Sequence, residues 1–60
     1  MNVKVHYRIT QDRAGLPQNF VGARHFPAMD MPVVVELAKK QLAADYQIPD
    51  SAVEISMVED

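Results

Sequence analysis

The sequence contains no cysteine, no tryptophan and only two glycines in 60 residues. Without cysteine the chain can form neither disulfides nor thiolate metal sites, and disulfides are a usual reinforcement of so short a chain. Neither Gly15 nor Gly22 opens a predicted helix, so the chain has no phosphate-binding loop. Oligomerisation is the one reinforcement that stays open for a domain of this size.

Long hydrophobic runs are also missing. The longest, residues 32–35, is far shorter than a membrane span. Charged residues interrupt the apolar residues near the N-terminus, so we expect no signal-peptide core. The hydrophobic fraction of 48% is ordinary for a globular protein. We therefore expect one soluble, cytoplasmic domain over residues 1–60 with no membrane partner.

The charges are sorted along the chain. Residues 1–29 carry four cations and one acid, a net charge of +3, whereas residues 30–60 carry two cations and seven acids, a net charge of −5. The total of −2 hides this division. Because such sorting bears on partners rather than on fold, it predicts one basic surface and one acidic surface.

Residues 3–9 and 52–58 alternate between apolar and polar side chains with the period of a half-buried strand. The positions predicted to point inward are Val3, Val5, Tyr7, Ile9, Val53, Ile55 and Met57. The positions predicted to point outward are Lys4, His6, Arg8, Glu54, Ser56 and Val58.

A further strand is predicted over residues 19–26, and its parity is ambiguous. One face would carry Phe20, Gly22, Arg24 and Phe26, and the other would carry Val21, Ala23 and His25. We predict that Val21 and Ala23 point inward, because burying Arg24 without a partner would be costly. The reverse parity would place two phenylalanines in the core. The preceding loop, residues 10–19, is long for a hairpin, and we expect it to be mobile or to stand out as an arm.

A helix is predicted to begin after Asp30, since aspartate is a favoured N-cap and Pro32 is tolerated in a first turn. It should run from Met31 to Ala44 or Asp45. The helical spacing of apolar residues predicts a core face made of Val34, Leu37, Ala38 and Leu42. The residues expected to face water are Glu36, Lys39, Lys40 and Ala43.

The order strand, strand, helix, strand predicts a small α+β fold, a single ββαβ domain. A right-handed crossover over the first strand gives a three-stranded antiparallel sheet in the order 2-1-3, with the helix packed on one face. The predicted core comprises Val3, Val5, Tyr7, Ile9, Val21, Ala23, Val34, Leu37, Ala38, Leu42, Ile48, Val53, Ile55 and Met57.

The other face of such a sheet is left uncovered. With the chosen parity, its candidate binding residues are Lys4, His6, Arg8, Phe20, Arg24 and Phe26. Such a face can anchor a protein partner, or it can stack bases and hold phosphates, although the net acidic charge argues against nucleic acid. We therefore predict a small non-catalytic protein-interaction module that binds another protein or itself. Nucleic-acid binding is the alternative.

No catalytic, metal or cofactor site is predicted. His6 and His25 are expected on opposite faces, and no cluster has metal-ligand spacing. No nucleophile is grouped with a base and an orienting carboxylate. A small enzyme, the second alternative, would require a cleft near one of the histidines. The pattern is common in small bacterial and phage-borne proteins and matches no family by its motifs.

Overall fold

The strands and the helix follow one another in the predicted order in a computed structural model that describes residues 1–60. The elements are β1 (Asn2–Gln11), β2 (Pro17–Pro27), α1 (Met31–Tyr46), a 3-10 turn (Asp50–Ala52) and β3 (Val53–Glu59). All strand pairs are antiparallel, the order is β2-β1-β3, and α1 packs on one face. The predicted α+β fold is confirmed. Neither helical segment has the length and apolar character needed to cross a membrane.

The connection between β1 and β2 is shorter than predicted. Pairing continues to the end of β1, so that only residues 12–16 form the turn. The Asp12 carboxylate accepts hydrogen bonds from the backbone N–H groups of Ala14 and Leu16, both at 2.9 Å. The predicted loop over residues 10–19 is therefore wrong in extent, because its ends belong to the hairpin and its centre is an aspartate-centred turn.

α1 begins at Met31, as predicted, and continues to Tyr46, just beyond the predicted end. Asp30 is the N-cap residue, although its side chain makes no capping hydrogen bond. Gln47 ends the helix in the left-handed conformation with a φ of 58°, a common geometry at helix C-termini.

The core lies between α1 and the sheet. Its buried side chains are Val3, Val5, Tyr7, Ile9, Phe26, Val34, Ala38, Leu42, Ala43, Ile48, Ala52 and Val53. The predicted core residues Leu37 and Ile55 are half-buried against it. Ala43 was expected to face water and is buried instead, because the chain folds back after α1 and the Ile48 N–H donates to the Ala43 carbonyl at 3.0 Å.

β2 has the reverse of the predicted parity. Phe20, Arg24 and Phe26 lie on the helix-facing side of the sheet, because they pair with the inward-pointing residues of β1. Arg24 is accommodated there by an ion pair with Asp45 in the last turn of α1, a partner that removes the objection to this parity. The residues that point the other way are Val21, Ala23 and His25, so the predicted burial of Val21 and Ala23 is wrong.

β3 changes parity at a bulge. Its pairing with β1 shifts between His6 and Tyr7, where Ser56 is the extra residue. The Ser56 hydroxyl donates a hydrogen bond to the His6 carbonyl at 3.2 Å. Because one inserted residue reverses the alternation beyond it, Met57 points outward and Val58 inward. The prediction for these two residues was the opposite and is wrong.

Candidate interaction surface

The sheet face opposite α1 is covered by no other part of the chain, and we call it the open face. Its side chains form cross-strand rows, because residues paired across antiparallel strands share a face. From β2 through β1 to β3, the rows read His25–Lys4–Glu59, Ala23–His6–Met57 and Val21–Arg8–Glu54.

Cross-strand contacts on the open face twice place an acidic side chain beside a basic residue. The Arg8 guanidinium donates to the Glu54 carboxylate from Nε at 3.1 Å and from Nη2 at 2.6 Å. His6 Nε2 lies 3.0 Å from Glu59 Oε1, and this hydrogen bond lowers the pKa of the Glu59 carboxyl below its ordinary value. Both pairs are substantially exposed and add little to stability. The open face is therefore a surface of mixed charge and not the basic surface that was predicted.

Apolar side chains are exposed beside these pairs on the two outer strands. Val21 on β2 is 66% exposed and Met57 on β3 is 50% exposed, and Ala23 is exposed beside them. Single exposed apolar residues are common, but here they stand on both sides of the basic central strand, and protein interfaces combine apolar and charged side chains. An open depression of about 440 Å³ lies at one end of this face. Its lining residues are Tyr7, Arg8, Val21, Glu54, Ile55 and Ser56.

The six predicted binding residues are divided between the two faces of the sheet. Those on the open face are Lys4, His6 and Arg8, and those on the helix-facing side are Phe20, Arg24 and Phe26. The open-face residues that sequence reasoning missed are Val21, Ala23, His25 and Met57. The alternation of β2 allows Val21, Ala23 and His25 to share the open face. Choosing that parity from the sequence would have required knowing that Arg24 has a partner on another element, Asp45 of α1. The bulge that exposes Met57 has no comparable signal in the sequence.

On the helix-facing side, three aromatic rings join β2 to the end of α1. The ring centroids of Tyr7, Phe20 and Tyr46 lie 6.0–6.4 Å apart, and the two tyrosine hydroxyls are 3.0 Å apart. Burial and the hydrogen bond to Tyr46 raise the pKa of the Tyr7 phenol. Beside the rings, the hydrogen bond to Asp45 raises the pKa of the Arg24 guanidinium. This cluster secures an edge strand that α1 otherwise covers incompletely.

Alkaline pH is expected to destabilise the folded chain through Tyr7. Since the pKa of Tyr7 in the folded chain lies above its ordinary value of 10.0, the contribution of Tyr7 to stability is complete below pH 10.0 and is lost as pH rises through the folded-state pKa. Urea denaturation of the wild type and Tyr7→Phe between about pH 8 and pH 11 measures the effect. The free energy of unfolding should fall more steeply in the wild type, and equal slopes would contradict the prediction.

His25 shares the open face with His6, contrary to the prediction, because the parity of β2 is reversed. The two histidines stand in neighbouring rows on different strands, and His6 is engaged with Glu59. No three histidine, aspartate or glutamate side chains come close enough together to hold a metal ion. Comparison of the chain with protein-family models, with curated proteins and with solved structures returned no match.

Proposed function

We propose that the chain is a small non-catalytic interaction module that binds a protein partner through its open face. The observation that carries the proposal is the group of exposed apolar side chains on the two outer strands, beside two cross-strand pairs of a basic and an acidic residue. The apolar residues are Val21, Ala23 and Met57, and the side-chain pairs are Arg8–Glu54 and His6–Glu59.

The two kinds of residue contribute differently to binding. Covering Val21 and Met57 removes apolar surface from water, worth about 25 cal/mol for each Å² buried. The Arg8–Glu54 and His6–Glu59 pairs are exposed, so breaking them to meet polar groups of a partner costs little. Charged groups of an interface mainly set association rate and specificity. The apolar residues would therefore supply most of the affinity, and the two side-chain pairs would select the partner and its orientation.

A charge placed among the exposed apolar side chains tests this proposal. Met57→Glu is the test variant, and Val33→Glu on α1 is its matched control, because Val33 is similarly exposed at 52%. Wild type and Val33→Glu, immobilised, should retain the same protein from an extract of the source cells, and Met57→Glu should lose it. With that protein purified, calorimetry should give a Kd at least about tenfold weaker for Met57→Glu. Equal affinities for the test and control variants would contradict the proposal.

Nucleic-acid binding has less support. The aromatic residues that could stack bases, Phe20 and Phe26, lie on the helix-facing side, and the Arg8 and His6 side chains are paired with acids on the open face. We expect no saturable binding of labelled single-stranded DNA or RNA at low salt, where electrostatic binding is strongest. Saturable binding that Arg8→Ala weakens would replace the protein-interaction proposal.

A further inference from the structure

The outer side of β2 is bare. β2 lies at the edge of the sheet and pairs with β1 alone. Outside this pairing, the backbone groups of residues 17–27 make no hydrogen bond with any other part of the chain. An uncovered edge strand presents unpaired N–H and C=O groups on which another strand can form hydrogen bonds.

Between Phe20 and Phe26, β2 also lacks the features that normally protect an edge. Proteins block edges with inner prolines, charged residues, bulges or very short strands. The register shift of β2 against β1 lies near its first end, between Pro17 and Phe20, and the prolines of β2, Pro17 and Pro27, stand at its two ends. Its single formal charge belongs to Arg24, which is bound to the helix. β3, the other edge strand, is shorter, contains a bulge and carries Glu54 and Glu59. β2 is therefore the edge open to pairing.

The hydrogen-bond pattern shows which backbone groups of β2 point outward. The Ala28 N–H donates to the Met1 carbonyl at 3.1 Å, so this pair is hydrogen-bonded. In an antiparallel ladder hydrogen-bonded pairs alternate with non-bonded ones, so from Phe20 to Phe26 the even-numbered residues of β2 bond to β1 and the odd-numbered ones point away. The residues of this stretch with outward N–H groups are Val21, Ala23 and His25, whereas Pro27 has none.

We propose that two copies of the chain pair antiparallel along β2, about a two-fold axis at Gly22, to form one continuous six-stranded sheet. In this register Val21 and Ala23 each donate an N–H to the carbonyl of the other residue in the second copy, and the His25 N–H donates to the Asn19 carbonyl of the second copy, so these three outward N–H groups all meet a carbonyl. Pro27 has no N–H group and therefore limits the length of the pairing at this end of β2.

The side chains favour the same register. Arg24 lies opposite Phe20 of the second copy, an arrangement suited to a cation–π contact, and Phe20 is 47% exposed in the single chain. A two-fold axis at Arg24 would instead bring like charges together. The axis at Gly22 stands perpendicular to the sheet, so the two open faces join on one side. The dimer is formed by the backbone edge of β2 and does not depend on the proposed function, although the side chains of Val21 and Ala23 also belong to the open face.

Sedimentation equilibrium over a range of concentrations tests the dimer. The wild type should pass from monomer to dimer. Ala23→Pro removes one outward N–H from each copy without touching the ladder to β1, and it should raise the dimer Kd by about tenfold or more. Met57→Glu, on the open face away from β2, should leave the Kd unchanged. A strict monomer at every concentration would overturn the proposal, as would folded Ala23→Pro that dimerises as tightly as the wild type.

Disulfide trapping tests the register and decides the matter if Ala23→Pro does not fold. The chain has no native cysteine. Position 21 faces position 23 of the second copy as a hydrogen-bonded pair, with Cα atoms about 5.5 Å apart, within disulfide reach. The double variant Val21→Cys/Ala23→Cys should form a covalent dimer on oxidation, and Val21→Cys alone should not. No cross-link in the double variant, or equal cross-linking in both, would overturn the proposed register, whatever the result for open-face binding.

Discussion

Truncating Leu42 to alanine is expected to leave the chain largely unfolded at 37 °C. Leu42 is fully buried at the centre of the face that α1 turns to the sheet. Leucine-to-alanine changes at such sites cost about 2–5 kcal/mol, because transfer energy is lost and a cavity remains. A core in a chain of this size supplies only about 3–5 kcal/mol of net stability. The loss is therefore comparable with the whole free energy of unfolding.

Urea and thermal denaturation followed by far-ultraviolet circular dichroism measure this effect. The matched control is Val33→Ala, because Val33 lies on the same helix and is 52% exposed; its free energy of unfolding should change by about 0.5 kcal/mol or less. All variants are compared at one low protein concentration, since dimerisation would add to apparent stability. A Leu42→Ala variant that unfolds at the wild-type urea concentration would show that the core is not centred on Leu42.

The sequence carried enough information for the fold, because strong local patterns agreed with one another. The alternation of residues 3–9 identifies β1, and Asp30 followed by Pro32 identifies the start of α1. Neither pattern depends on the rest of the chain. The position of β1 at the centre of the sheet follows from the handedness of the crossover. These features depend on neighbours in sequence or on general rules of topology, and the structure confirms them.

The parity of β2 could not be obtained in the same way. The choice depended on whether Arg24 could be placed beside the core, and the group that permits it, Asp45, lies on a different element. The bulge at Ser56 also depends on contacts between elements, because it is defined by the register between β1 and β3. Both errors concern contacts between elements. Because of these errors, the predicted surface contained Phe20 where the structure has Val21, and it lacked Met57. The composition of the candidate surface was therefore wrong, although the fold was right.

The reversed parity gives the open face and the β2 edge a common origin. Phe26 lies in the core and Arg24 is paired with α1. The residues between and beside them, Val21, Ala23 and His25, therefore direct their side chains to the open face and their backbone groups to the outer edge of the sheet. Val21 and Ala23 therefore belong to both surfaces. A substitution at Met57 affects the open face alone, which is why it separates the two proposals.

Replacing Gly22 by alanine is expected to destabilise the fold by about 1–3 kcal/mol, the usual cost of inserting a carbon into packed surroundings. A Cβ atom at this position would lie 2.8 Å from the Tyr7 hydroxyl oxygen and 2.9 Å from its Cζ. Glycine in a strand ordinarily makes the fold less stable than alanine does, by about 0.5–1 kcal/mol. The sign of the change in the free energy of unfolding therefore depends on whether the Tyr7 ring can move away from the added Cβ atom.

Its surroundings hold the Tyr7 ring in place. The ring is buried, it contacts Phe20 and Tyr46, and its hydroxyl shares a hydrogen bond with Tyr46, so moving it would disturb the whole aromatic cluster. A double-mutant cycle with Tyr7→Leu separates this clash from a general backbone effect. Gly22→Ala should be costly in the wild-type background and neutral or stabilising where the ring is absent, by urea denaturation at low protein concentration. An equal cost in both backgrounds would show that Gly22 is required for its backbone and not for the space that Tyr7 occupies.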